Sequence, residues 1–393
     1  SGSARENDLW SVRRGRRTQH AGARALPLVL CVALLLSWQE PLFAEWPMHR
    51  GNPQLNGRAP GAAPAKAELS WTFKAEKPVK AAAAIVKGQI YFGDDGGTIY
   101  ALDLAGKPRW TFKTQGAIEA TPLVVDGVVF IGSSDGNVYA LEAASGKEKW
   151  KYETGDKVLG GANHAKNPKG EGTWILVGSY DSQLHCIDAA TGKAVWTHQT
   201  DNYINGTPAL LASGEIVFGG CDSYIHVLQL ADGKEVRQID SEAYIASSVA
   251  VADGIGYVGN YGNLVLAFDP KGGNTLWTYR ERNFPYFSSA GLTEDRVIIG
   301  GRDKRLHCLD RATGKAVWHF QTRGQVDSSP LVFSDAVVVG SQDGRLYCVT
   351  IADGKERWAY EIGGPITASP AAAEGRIVVG AEDGNIFCFG GAK

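Results

Sequence analysis

Three things are scarce in this 393-residue sequence: long apolar runs, basic runs outside the amino-terminal stretch, and cysteines placed side by side. Each scarcity excludes something. The one extended apolar run, "ALPLVLCVALLLS" at 25–37, is 13 residues long and broken by Pro27, whereas a membrane-spanning helix needs about 20 apolar residues. Six arginines precede the run (Arg5, Arg13, Arg14, Arg16, Arg17, Arg24) and "SWQEPLFA" follows it. That pattern is a secretory signal, with cleavage expected after Ala44. Leu30 before Cys31 is bulky where lipoprotein signals resemble small-small-Cys, so no lipid anchor is expected. Without residues 1–44 the chain keeps 34 basic and 39 acidic residues, a formal charge of −5. A nucleic-acid binder is expected to be basic, and that class is dropped. An exported protein, periplasmic or secreted, with no transmembrane segment in its mature chain is expected.

Helical periodicity is also missing. In its place a sentence repeats: "GSSDGNVYALEAASGKEKW" at 132–150, "GSYDSQLHCIDAATGKAVW" at 178–196, "GSQDGRLYCVTIADGKERW" at 340–358. Tryptophan marks the period at Trp71, Trp110, Trp150, Trp196, Trp277, Trp318 and Trp358, with Arg237 in the remaining slot. The intervals are 39, 40, 46, 41, 40, 41 and 40 residues, the long one explained by an insertion near 165–172. Each unit holds short β-rich runs separated by Asp-Gly or Ser-Gly turns, which predicts four antiparallel strands. Units of this length and content predict an all-β, eight-bladed β-propeller.

The last unit, "ITASPAAAEGRIVVGAEDGNIFCFGGAK", has only three strands. Its fourth is expected from "LSWTFK" at 69–74, which would close the ring by pairing Leu69–Lys74 with the strand around Ile386–Phe389. The domain boundaries follow: signal at 1–44, leader at 45–68, propeller at 69–393. Small residues open the innermost strands ("AAAA" at 81, "EATP" at 119, "NGTP" at 205, "SSVA" at 247) and suit the crowded axis. Pro122, Pro208, Pro330 and Pro370 cannot donate to a ladder and belong on the edge facing the channel.

The repeated "A-x-D-x-x-T-G-K-x-x-W" resembles the tryptophan-docking motif of the pyrroloquinoline quinone (PQQ) repeat family, which includes quinoprotein alcohol dehydrogenases and the outer-membrane assembly factor BamB. The resemblance covers nearly all of 69–390. It implies that the tryptophans dock neighbouring blades, and a ring supplied once per blade can bury about 150–250 Å². It does not imply a quinone. Dehydrogenases of the family carry a calcium site, a catalytic Asp, a tryptophan under the cofactor, a disulfide between adjacent cysteines and, in some, CxxCH. Here Cys186, Cys221, Cys308, Cys348 and Cys388 are neither adjacent nor in CxxCH, Trp46 precedes the propeller, and Trp174 stands where other blades have aliphatics. No catalytic residue, cofactor or metal is expected. The function expected is a non-enzymatic binding scaffold, BamB-like in architecture and monomeric, for a protein partner or small ligand. The alternative is a PQQ-dependent oxidoreductase, with calcium, or a small-ligand binder using the channel.

Other chemistry is read as structural. His185, His226 and His307 recur where other blades have Tyr100, Tyr139, Tyr347 or Phe387, which favours packing over metal binding. Asp135, Asp343 and Asp383 are turn residues. Cys308, Cys348 and Cys388 share one position in successive blades, and sheets about 10 Å apart exceed the roughly 7 Å Cα limit for a bridge. Free thiols are expected, substituting for Ala101, Ala140 and Ala267. The leader segment "WPMHRGNPQLNG" at 46–57 is expected to pack across the ring.

The repeat drifts in one half of the ring. Blades seven, eight, one and two keep Asp-Gly at the second turn, whereas blades three to six place Tyr180, Tyr224, Tyr261, Arg302 and Arg305 at or beside it. The preceding inter-blade loops add Tyr203, Tyr244, Phe284 and Tyr286. In a propeller both loop sets share one face. Tyrosine and arginine dominate binding hot spots, so this face is the candidate partner or ligand surface.

Overall fold

The computed structural model describes residues 45–390; the expected signal at 1–44 lies outside the described residues. Thirty-two strands form eight four-stranded antiparallel sheets, a propeller of eight blades. The first blade runs outward as Ala84–Val86, Gln89–Gly93, Thr98–Asp103 and Pro108–Lys113. The eighth is made of Ala371–Ala373, Arg376–Gly380 and Asn385–Gly390, completed by Leu69–Lys74. Trp71 stands opposite Cys388, Phe73 opposite Ile386 and Lys74 opposite Asn385. The two ends of the chain thus close the ring, as the missing strand predicts.

The middle strands are buried on both faces, while the outer strands alternate exposed and half-buried positions as edges do. What packs blade on blade is a wedge and a dock. The wedge is a β-branched residue in seven of the eight inter-blade loops, such as Ile118, Val158, Ile204 or Ile366, none of them exposed. It sits against the glycine ending the second strand of the preceding blade: a Cβ on Gly93 would fall 2.1 Å from Ile118 and one on Gly340 2.3 Å from Ile366. That glycine is invariant in the repeat because any side chain would expel the wedge.

The dock is the tryptophan. A register shift just before it, present in the outer ladder of every blade, turns its ring outward onto the next blade. Trp110 Nε1 donates to the Ala143 carbonyl at 2.9 Å, Trp150 to Ala189 at 3.0 Å, Trp196 to Leu230 at 3.0 Å, and Trp277 to Arg311 at 3.0 Å. Each ring lies on the turn glycine of that blade; a Cβ on Gly146 would fall 2.5 Å from Trp110. Trp71 and Trp318 follow the same pattern, with Leu104 and Ile351 as acceptors. Trp358 faces blade eight, whose outer turn was never written, and donates instead to Pro64 at 2.8 Å. The segment before Leu69 therefore replaces the missing turn. Opposite each tryptophan stands Ala101, Ala140, Cys186, Ala267, Cys308, Cys348 or Cys388, and the five described cysteines are free thiols.

The innermost strands begin later than the small-residue runs. Blade two's starts at Leu123, after Pro122, and blade seven's at Leu331, after Pro330. The small residues before them bond around the channel instead: Thr207 N to Ser248 Oγ, Ser248 N to Ser289 Oγ, Ser289 N to Ser329 Oγ and Ser329 N to Ser369 Oγ, at 2.9–3.0 Å. Hydroxyls linking neighbouring blades take the donors that a ladder would have used.

The leader crosses one end of the channel. Pro47, Pro53, Gln54, Asn56 and Gly57 accept hydrogen bonds from Val124, Leu210, Val251, Leu292 and Val332, and Trp46 bridges Ile85. Asn163 of blade three reaches Pro53 as well. Seven of the eight innermost strands are thereby tied to residues 46–59.

Candidate partner-binding face

The leader covers the end of the channel where the first and second strands turn, so the opposite face is the accessible mouth. Two loop sets meet there, and one hydrogen bond per blade fixes them together. The backbone N–H of a second-turn residue donates to an inter-blade loop carbonyl: Asp95 to Pro78, Ser134 to Ala117, Tyr180 to Lys157, Cys221 to Tyr203, Tyr261 to Tyr244, Gln342 to Gln325 and Glu382 to Pro365, all at 2.9 Å, and Arg302 to Pro285 at 3.2 Å. The backbone is thus repeated eight times while the side chains it presents differ. Variation on a repeated frame is where a repeat protein carries specificity.

On blades three to six the variation is aromatic. Tyr203 is 46% exposed, Tyr224 38%, Tyr244 53%, Tyr261 46% and Phe284 46%. Tyr180 stacks on Tyr203 with centroids 4.7 Å apart and rings 3° from parallel. Tyr244 meets Tyr261 edge-on at 6.5 Å, and Tyr261 packs on Phe287 at 4.5 Å. Arg302 lies 3.6 Å over the Phe287 ring and holds Asp327 with two hydrogen bonds of 3.0 and 2.9 Å. Partial burial pushes the Tyr180 phenol up to about 12. The result is a row of rings ending in a clamped guanidinium. Arg305 faces Glu281 at 2.9 Å and is mostly covered.

Tyr286 does not belong to this face. It is 2% exposed and fills the wedge position that Ile118 or Ile245 takes elsewhere. The loop from Tyr279 to Tyr286 is one residue longer than that from Phe112 to Ile118, which shifts its aromatics by one place. Pro285 then takes the position of Tyr244, and Phe287 reaches the channel mouth. Counting back from the serines (Ser247-Ser248, Ser288-Ser289, Ser328-Ser329) aligns Tyr286 with Ile245 and Val326, a signal in the sequence that marks it as core.

Sequence reasoning also missed the ring at the mouth. Lys80, Glu119, Asn205, Phe287 and Thr367 occupy one loop position in five of the blades and line the cavity entrance, and Asp327 holds that position in blade seven. Most pair with their own second turn: Lys80 with Asp95 at 2.7 Å, Asn205 with Cys221 at 3.0 Å, Asp327 with Gln342 at 2.9 Å, and Thr367 with Glu382 at 2.9 Å. Below them the channel is a cavity of about 150 Å³ walled by Gly160, Gly161, Ser248 and Ser289 and bounded by His49. Burial, and then the charge of Arg50, lower the His49 imidazole to about 3, leaving it neutral. Hydroxyls and a neutral imidazole suit water or a small polar molecule; the aromatic rim suits a larger apolar surface.

The turn aspartates and strand histidines are partners of one another. His185, His226 and His307 turn Nε2 to Asp181, Asp222 and Asp303 at 2.9–3.0 Å, just as the hydroxyls of Tyr139 and Tyr347 donate to Asp135 and Asp343.

The family model described as outer membrane protein assembly factor BamB matches residues 57–168, 161–220, 181–300, 286–344 and 302–390. The solved structure of BamB from Moraxella catarrhalis is similar with a TM-score of 0.70 and 18% identity, covering 83% of this chain and 100% of that one. Quinohemoprotein alcohol dehydrogenase from Comamonas testosteroni is similar with a TM-score of 0.76 and 14% identity, covering 89% of this chain and 81% of that one. In sequence, quinohemoprotein alcohol dehydrogenase from Comamonas testosteroni is 34% identical over 111 residues, 24% of this chain and 16% of that protein. The chain therefore spans about one sixth of that relative's length in the sequence match. Structural likeness at these identities carries the fold and leaves the activity open.

Proposed function

The chain belongs to the β-propeller family described as outer membrane protein assembly factor BamB, and from that premise we propose that it is an exported, non-catalytic scaffold that captures a protein partner on the loop face of blades three to six. One observation carries the proposal. Among the exposed large apolar side chains of the described residues, every aromatic one (Tyr203, Tyr224, Tyr244, Tyr261, Phe284) is on this face. Exposed apolar surface gathered in one place marks an interaction site. Rings already packed on one another lose little freedom on binding, which favours affinity. Incorporating a photo-crosslinking residue at Tyr244 in the native envelope is expected to yield discrete protein adducts. The same residue at Leu276, 49% exposed on an outer strand, serves as control; equal labelling at both positions would sink the proposal.

Quinone chemistry in the channel is the competing reading, favoured by the 34% identity over 111 residues. The residues present do not fit it. The cavity of about 150 Å³ has no tryptophan in its lining, and it falls short of the roughly 300–1,000 Å³ of ordinary ligand sites. Of its rim charges, Lys80 is already paired with Asp95. Incubation with PQQ and calcium is expected to leave no retained absorbance and no dye-linked alcohol oxidation.

A further inference from the structure

The boundary between blades five and six departs from the repeat at several positions at once, and the departures converge. Where four blades carry a loop-tying threonine (Thr114, Thr154, Thr200, Thr322) whose hydroxyl bonds two backbone carbonyls, this boundary has Glu281. Where Thr72, Thr111, Thr197 and Thr278 follow their tryptophans, blade six has His319. His307 faces His319 across the ladder, and blade six alone has histidine at both positions. The Glu281 carboxylate lies 2.6 Å from His319 Nε2 and 3.7 Å from His307 Nδ1. Tyr279 Oη sits among them, 3.2 Å from His307 Nδ1 and 3.0 Å from His319 Nε2, and donates to Glu281.

We propose that Glu281, His307 and His319 bind a divalent ion of the zinc(II) class, with the Tyr279 hydroxyl or water completing four-coordination. Two imidazoles and a carboxylate are a borderline-soft set that suits zinc(II) rather than calcium or magnesium. Bonds of 2.0–2.2 Å in a tetrahedron place donors about 3.3 Å apart, and the three donor atoms here all lie within 4.8 Å of one another. The second layer is built as well. Asp303, 7% exposed, takes the Nε2 hydrogen of His307 at 3.0 Å, which leaves the Nδ1 lone pair facing the cluster. A carboxylate behind a histidine ligand fixes its tautomer in this way. Glu281 and His319 keep 31% and 27% of their side chains exposed, so the ion has a path in. A second cluster, His198, His226 and Glu235, is less suited. There the Nδ1 of His226 is taken by Glu235 at 2.6 Å and its Nε2 by Asp222 at 2.9 Å, while His198 stays 3.8 Å from Glu235.

The bound ion ties the outer strand of blade five to blade six beside Phe284. This inference stands independently of the scaffold reading. The test is calorimetric titration of the chelator-stripped full chain, without an affinity tag, with zinc(II), and with cobalt(II) to report four-coordinate d–d absorption. One saturable equivalent and a raised Tm are expected. Glu281→Thr and His319→Thr restore residues the repeat already uses, so both are expected to melt with the stripped wild type and to bind at least about tenfold more weakly. Asp303→Asn is expected to weaken binding by about 10–100-fold, and His198→Phe to leave it unchanged. Absence of saturable binding by the wild type, undiminished binding by both threonine variants, or loss confined to His198→Phe would each overturn the proposal.

Discussion

Trp71 stands opposite Cys388 across the seam of the ring, the relationship that Trp110 has to Ala101 within blade one. A residue more than three hundred positions away in the chain thus completes a blade as a neighbour would. Its ring lies on Gly106 and its Nε1 reaches Leu104, so the same side chain joins blade eight to blade one.

Ring closure is therefore expected to govern cooperativity. Deleting residues 66–74 strips the outer strand from blade eight and leaves Phe387 and Phe389 with an open edge. Denaturant titration followed by tryptophan fluorescence and by far-ultraviolet circular dichroism should give coincident single transitions for the full chain and broad, non-coincident ones for the deletion. Trp71→Ala, which keeps the strand, is expected to cost about 3 kcal/mol. A deletion that unfolds as sharply as the parent would show that closure is dispensable.

The thiols should be protected by burial. Cys308, Cys348 and Cys388 are pushed up to about 12 by desolvation, and Cys186 is also raised by burial. A thiol held far above its ordinary value is not a nucleophile at pH 8. Native protein is expected to react with a thiol reagent only at the half-buried Cys221, and denatured protein at all five described positions without prior reductant. Fewer modified cysteines before reduction than after it would reveal a bridge.

His226 should make stability fall as pH rises. Burial disfavours its charged form, but hydrogen bonds to Asp222 and Glu235, and their charges, outweigh that and raise its pKa above 6.5. The neighbouring His198 is lowered, by burial first and in part by the charge of His226. A folded-state pKa above the unfolded one gives stability that is complete below 6.5 and lost as pH climbs through the raised value. His226→Tyr supplies the ring that blades one, two and seven use and removes the titration. The Tm advantage of wild type over this variant is expected to shrink as pH rises above about 6.5; an advantage that grows with pH would mean the carboxylates do not hold the proton.

The fold was legible because its determinants are local and repeated: a tryptophan in seven of the eight blades, a turn glycine under it, and a glycine where the wedge enters. The missing fourth strand of the eighth blade could be counted. The rim was legible only in part, since Tyr203, Tyr244 and Tyr261 keep the repeat's spacing whereas Tyr286 follows a one-residue insertion that moves it into the core. The cluster of Glu281, His307 and His319 was not foreseen, because Glu281 comes from the loop after blade five and both histidines from strands of blade six. Their only sequence trace is the replacement of a recurring threonine at each position.

Binding at the aromatic face should be separable from stability. Tyr203, Tyr244 and Tyr261 are 46%, 53% and 46% exposed and touch mainly other rim rings. Truncating all three removes ring pairs worth about 0.5–1.5 kcal/mol each, but no wedge or dock, and in a ring of eight blades the Tm should move by only a few degrees. Hot-spot tyrosines at the centre of an interface cost about 2 kcal/mol or more apiece when cut to alanine, so capture of the native partner by the triple variant should fall below detection. Arg302→Ala offers an independent arm. Its guanidinium lies over Phe287 and is held there by Asp327, and without it Phe287 loses its cover, weakening binding without removing a tyrosine. Retained capture by the triple variant together with a collapse in Tm would show that the rings are packing for the channel mouth and that the partner surface lies elsewhere.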